Sequence, residues 1–82
     1  MLIHKIKTEL VAHIANILSV ETTEIEVETP LHVLGVDSMG MVGILVFIET
    51  QYGIDLMSSD LQPADIASVS ALAHTINRKQ EK

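Results

Sequence analysis

From Met39 to Ile48 every residue of this chain is apolar or glycine, and the run is punctuated on both sides. Asp37 precedes it, and a carboxylate there can accept from the free N–H groups of a first helical turn. Gly53 follows it and suits the left-handed position that closes a helix. This punctuation predicts a helix from Ser38 to Tyr52. Within it Ile44, Leu45, Ile48 and Tyr52 share one face and form the expected core stripe. Even Met41 to Ile48 is far too short to span a bilayer, so other parts of the chain have to cover the helix.

One stripe cannot bury all of its apolar side chains. Met39, Val42, Val46 and Phe47 are left over, and some of them should form an exposed apolar patch beside Ser38, of the kind that often marks a binding site. Gly40 and Gly43 are the second oddity, since each costs about 1 kcal/mol relative to alanine inside a helix. They either let another backbone come close or leave space for something bound.

The flanking segments supply the cover. Leu2 to Leu18 reads as a helix, with Ile3, Ile6, Leu10, Ile14, Ile17 and Leu18 recurring at spacings of three and four. His13 is expected at the surface, and the first turn should fray for want of a good N-cap. Ser19 to Leu34 reads as a long connection. Ile25-Glu26-Val27-Glu28 alternates like a strand, but a lone strand has no partner and Pro30 interrupts it. Ile25, Val27 and Leu31 are therefore expected to pin a loop onto the bundle. Ile54 to Met57 is a connection with apolar anchors. Pro63 to Ala67 reads as a short helix or turn opened by proline. Ser68 can cap a last helix, Val69 to about Arg78, with Val69, Leu72, Ala73 and Ile76 inward, and the final residues should be mobile. The expected fold is all-α: a small four-helix bundle of three longer helices and one short, with a long loop between the first helix and the helix that begins at Ser38.

Composition narrows the function. A chain of 82 residues suggests one small domain, 1–82, with a modest core. Apolar residues make up 48% of it, which excludes a disordered acidic tail. The formal net charge is -6, which argues against binding nucleic acid through its phosphates and favours basic partner surfaces. With no cysteine, neither a disulfide nor a thiolate zinc site can form, and any thioester chemistry must use a thiol brought in from outside. The N-terminus lacks the layout of a signal peptide. A soluble, cytoplasmic, monomeric protein that does not bind membranes is the expectation.

The junction Leu34-Gly35-Val36-Asp37-Ser38-Met39 carries the chemistry. Gly35 lets the chain turn, and Asp37 caps the helix. Ser38 then lies in the first turn, its hydroxyl facing water beside unpaired N–H donors at the positive end of the helix dipole, a favourable place for a phosphate. A plain helix cap is the ordinary role of such an Asp-Ser pair.

These six residues resemble the attachment motif of acyl and peptidyl carrier proteins. The similarity extends over nearly the whole chain in length, acidity, helix order and the long first loop. The resemblance implies a covalent 4′-phosphopantetheine arm on Ser38 through a phosphodiester, transferred from coenzyme A by a separate magnesium-using phosphopantetheinyl transferase. Asp37 would cap the helix and present Ser38 to that enzyme. The arm's thiol would hold acyl groups as thioesters for acyl-loading and acyl-processing partner enzymes, in fatty acid, polyketide or related biosynthesis. The chain itself would not be an enzyme.

One departure from the family concerns the partners. Fatty-acid carriers typically place acidic residues two and five positions after the modified serine, where this chain has Gly40 and Gly43. Glu49 alone is acidic between Ser38 and Tyr52. Docking is therefore expected to be mainly apolar, through Met39, Val42, Val46 and Phe47, with partners from a specialised pathway.

Three other functions compete with this reading. A serine hydrolase needs Gly-x-Ser-x-Gly between a strand and a helix, whereas Gly35 lies three residues before Ser38 and no strand precedes it. His4, His13, His32 and His74 are scattered without metal-ligand spacing, so no metal site is expected. The serious alternative is an unmodified helical adaptor that binds partners through the same central helix.

Overall fold

The computed structural model of the chain describes residues 2–57 and 61–80. Among these the periodic segments become helices: α1, Leu2–Leu18; α2, Leu31–Leu34; α3, Ser38–Tyr52; and α4, Val69–Gln80. Three are long and one is short, and no strand forms among the described residues. Met1 and the last two residues, which belong to the tail expected to be mobile, lie outside the described residues.

α1 lies chiefly against α4. Ile6, Leu10 and Ile14 of α1 meet Ile44 and Ile48 of α3 and Val69, Leu72, Ala73 and Ile76 of α4 in one fully buried aliphatic cluster. Each large side chain buried there contributes about 2 kcal/mol of transfer free energy. Leu45 and Tyr52, expected in the core stripe, are half-buried at its edge.

Three contacts set the direction of α3 on α1. Ile17 lies beside Gly40 and Gly43, His13 stacks on Phe47, and Tyr52 donates to Glu9. The numbers fall on one helix as they rise on the other, so the two helices are antiparallel. Leu18 lies beside Gly35, and the Leu31 N–H donates to the Ala67 carbonyl at 2.8 Å. The start of α4 is thereby held at the end where α1 stops and α3 begins.

The connection from Ser19 to Leu34 is more structured than its sequence suggested. Ser19 adopts a left-handed conformation (φ 59°), with its N–H donating to Asn16 and that of Val20 to Ala15. This is the closing motif usually assigned to glycine. Thr22–Glu24 forms one 3₁₀ turn, bracketed by reciprocal bonds between Glu21 and Glu24. Leu31–Leu34 then closes into α2, inside the segment whose sequence reads as a connection. Pro30 starts it, and Gly35 ends it with φ 107°. Ile25 and Leu31 are buried and Val27 half-buried, so all three do pin the segment. The Ser70 N–H donates to the Val27 carbonyl, and Pro30 pairs with Ser68 in an isolated bridge. The short helix or turn expected at Pro63 to Ala67 is a 3₁₀ turn, Pro63–Ile66. Ser68 caps α4 as expected, its Oγ accepting from Ala71 N–H at 3.1 Å.

Candidate functional site

α2, Gly35 and the first turn of α3 together position Ser38. The left-handed Gly35 turns the chain, and the Val36 N–H donates back to the Leu31 carbonyl, which tucks Val36 into the core. Asp37 is then extended, and its Oδ1 accepts from Gly40 N–H at 2.8 Å. Asp37 and Ser38 are both exposed. Since Asp37 takes the Gly40 donor, helix geometry leaves the Ser38 and Met39 N–H groups without an intrahelical acceptor. An exposed hydroxyl thus stands beside free donors at the positive end of α3, in a turn fixed by a cap below and the core behind. That is suited to a phosphodiester on the Ser38 oxygen.

Gly40 and Gly43 differ in purpose. A Cβ on Gly40 would stand 3.2 Å from Val36 Cγ1 and 3.3 Å from Asp37 Oδ1, so the cap itself requires that space. A Cβ on Gly43 would find nothing nearer than Ile17 Cδ1 at 4.0 Å.

Outside the core, α3 exposes Met39 (79%), Val42 (48%) and Val46 (47%), at i, i+3 and i+7 on one side of the helix. Phe47, grouped with them from the sequence, is only half-exposed. Its ring stacks on His13 with centroids 4.1 Å apart, and Tyr52 meets its edge at 6.3 Å. His13 is correspondingly not the free surface residue expected: it is half-buried, and its Nε2 is buried without a hydrogen-bond partner. Tyr52 donates to Glu9, and burial, that hydrogen bond and the nearby carboxylate together push its phenol well above the usual tyrosine range. Nothing in a linear pattern announces this cross-helix group. Glu21, Glu24, Glu26 and Glu28 are all exposed.

The chain as a whole matches a known family. Residues 2–82 match the C-terminal ACP (acyl carrier protein) domain of the highly reducing polyketide synthase sdgA. The chain belongs to the acyl carrier protein family. No curated protein and no solved structure matches it significantly. An acyl carrier domain bears cargo and is not catalytic, so the hydroxyl of Ser38 is not the nucleophile of an enzyme acting on a substrate of its own. Among the described residues, no cluster of metal-ligating side chains occurs, and no helix of the carrier is long and apolar enough to cross a membrane.

Proposed function

We propose that Ser38 carries a 4′-phosphopantetheine arm, and that this carrier, a single domain over residues 1–82, delivers acyl groups as thioesters to partner enzymes of a specialised fatty-acid, polyketide or related pathway. The observation that carries the proposal is the exposed Ser38 hydroxyl in the first turn of α3, fixed by the Asp37–Gly40 cap. The arm supplies the thiol that a chain without cysteine lacks. In the loading step Ser38 Oγ bonds to phosphorus, the phosphoanhydride bond of coenzyme A breaks, adenosine bisphosphate leaves, and the hydroxyl proton passes to the transferase. Asp37 positions Ser38 by holding the helix start. The expected setting is the cytoplasm, with the carrier monomeric.

Intact mass after incubation with coenzyme A and a broad-specificity transferase tests this. One phosphopantetheine should be gained by the wild type and none by Ser38→Ala, whose helical circular dichroism should persist. No gain by the wild type, with the transferase active on a control carrier, would leave the adaptor reading, which the exposed Met39, Val42 and Val46 also support.

The same three side chains make the proposed docking face. Electrostatic docking weakens with salt, whereas apolar docking should not. Affinity for a cognate enzyme should therefore hold between low and high salt and drop with Val46→Asp. Affinity that collapses with salt, or that ignores Val46→Asp, would reject the apolar face and move the docking site to the acidic segment around Glu21 to Glu28.

A further inference from the structure

Sulfur is scarce in this chain. It has no cysteine and four methionines, so in the unloaded carrier a methionine thioether is the only sulfur an oxidant can reach. The described methionines differ in exposure. Met41 is half-buried and packs against the core cluster. Met57, in the connection beyond α3, is 51% exposed. Met39 is 79% exposed, the most open large apolar side chain among the described residues. It is also the residue next to Ser38, in the first turn of α3. Susceptibility to oxidation follows exposure, so an oxidant finds Met39 ahead of the other two. Its position fixes the consequence. Consecutive Cα atoms lie about 3.8 Å apart, so any enzyme that brings an active site to the Ser38 oxygen covers Met39 as it does so. Leucine would give that enzyme an apolar contact of similar size. Methionine alone can change polarity there and change back.

Resting on the assignment of the arm to Ser38, we propose that Met39 is a reversible oxidation site that controls access to that serine. In the forward step a lone pair of Met39 Sδ attacks one oxygen of hydrogen peroxide. An S–O bond forms, the O–O bond breaks, and the departing hydroxide takes up the proton of the transferred oxygen and becomes water. Sulfur is oxidised and the peroxide is reduced. The reverse step belongs to a thiol-dependent methionine sulfoxide reductase: a pair of thiols is oxidised to a disulfide, and the sulfoxide oxygen leaves as water. A sulfoxide makes a flexible apolar side chain polar. On the free carrier that change costs little, because Met39 is in water and outside the core cluster. In a docked complex the same group is taken out of water, and a polar group without a partner is costly there. Val42 and Val46, further along the same side of α3, carry no polar group to hold it. The oxidised carrier therefore keeps its fold and loses its partner enzymes until it is reduced.

The test uses the apo-carrier, whose only sulfurs are those of its methionines. It is treated with hydrogen peroxide, the excess is removed with catalase, and peptide mass mapping reads which methionine has gained an oxygen. Met39 should gain it before Met41 and Met57. Loading from coenzyme A by the broad-specificity transferase should then slow about tenfold, as one unpaired polar group in an apolar contact dictates, while the helical circular dichroism is unchanged. Epimer-specific methionine sulfoxide reductases with dithiothreitol should restore the rate. Each variant serves as its own reference. Met39→Leu should load at one rate before and after peroxide, and Met57→Leu should slow as the wild type does. Met39→Gln, polar without oxidation, should load slowly and ignore peroxide. Earlier oxidation of Met41 or Met57, an oxidised Met39 that loads at the untreated rate, or slowing that persists in Met39→Leu would overturn the proposal while leaving Ser38 as the attachment point. Failure of the untreated carrier to load, with a control carrier loading normally, would overturn the attachment and the control by Met39 together.

Discussion

Replacing either glycine of α3 by alanine makes the same chemical change one turn apart, yet the two variants should behave differently. At Gly43 the new methyl meets only Ile17 Cδ1, at an ordinary contact distance of 4.0 Å. The helix gains about 1 kcal/mol of propensity with nothing to offset it. For a domain of this size that corresponds to a rise in melting temperature of roughly 4–8 °C. At Gly40 the propensity gain is the same, but the methyl would stand 3.2 Å from Val36 Cγ1 and 3.3 Å from Asp37 Oδ1. Both neighbours must retreat by a few tenths of an ångström. Val36 is buried against the core, where a forced shift costs about 1 kcal/mol or more. Asp37 Oδ1 is already committed to the Gly40 N–H at 2.8 Å, and the cap it makes is worth about 1 kcal/mol. The sum for Gly40→Ala lies between no change and a loss of about 1 kcal/mol. Thermal melts by circular dichroism, supported by urea midpoints at constant m, read the difference directly. Equal stabilisation of both variants would show that the capped turn yields freely and does not hold Ser38. Destabilisation by Gly43→Ala would show that the space beside Gly43 is not open.

Asp37→Ala should cost about 1 kcal/mol and slow loading by the transferase, because it frees the helix start; unchanged loading kinetics would limit Asp37 to a stabilising role. The Tyr52 phenol is raised in the fold, first by burial and then by Glu9. Its contribution to stability is therefore complete below the unfolded value near pH 10 and is lost as pH rises above it. Urea denaturation from pH 8 to 11 should show a decline that is smaller in Tyr52→Phe, and identical slopes would refute the assignment. Glu21, Glu24, Glu26 and Glu28 are exposed, with no lysine or arginine between Lys7 and Arg78 to neutralise them. Added salt or divalent cations should raise the melting temperature by screening or binding. Indifference to both would mean the glutamates are too well solvated to repel.

The long helices were legible because their limits are written in side chains. Asp37 and Gly53 bound α3, Ser68 caps α4, and the aliphatic stripe of α1 has the helical period. Placement of the neighbours was less legible. Ile17 belongs to the α1 stripe by spacing, yet it is partly exposed because the residues opposite it, Gly40 and Gly43, have no side chains to cover it. α2 carries a signal, proline at its start and glycine at its end, but it follows a stretch whose alternation resembles a strand. Ser19 had none, since serine rarely takes a left-handed angle. The His13–Phe47 stack and the Tyr52–Glu9 bond depend on the angle at which α3 crosses α1, and a local pattern does not encode that angle. Phe47 was placed in the exposed patch for the same reason.

The antiparallel run of α1 and α3 has a practical consequence. Ser38 sits where α1 ends, and α4 starts at that same pole, so Leu2 and Gln80 both leave from the opposite one, about 25 Å away along α1. A bead, a fluorophore or a fusion partner joined at either end would therefore hold the carrier by its foot, with the serine pointing outward. Surface-immobilised carrier should accept its arm from a soluble transferase as readily as the free protein does, whichever end is fixed.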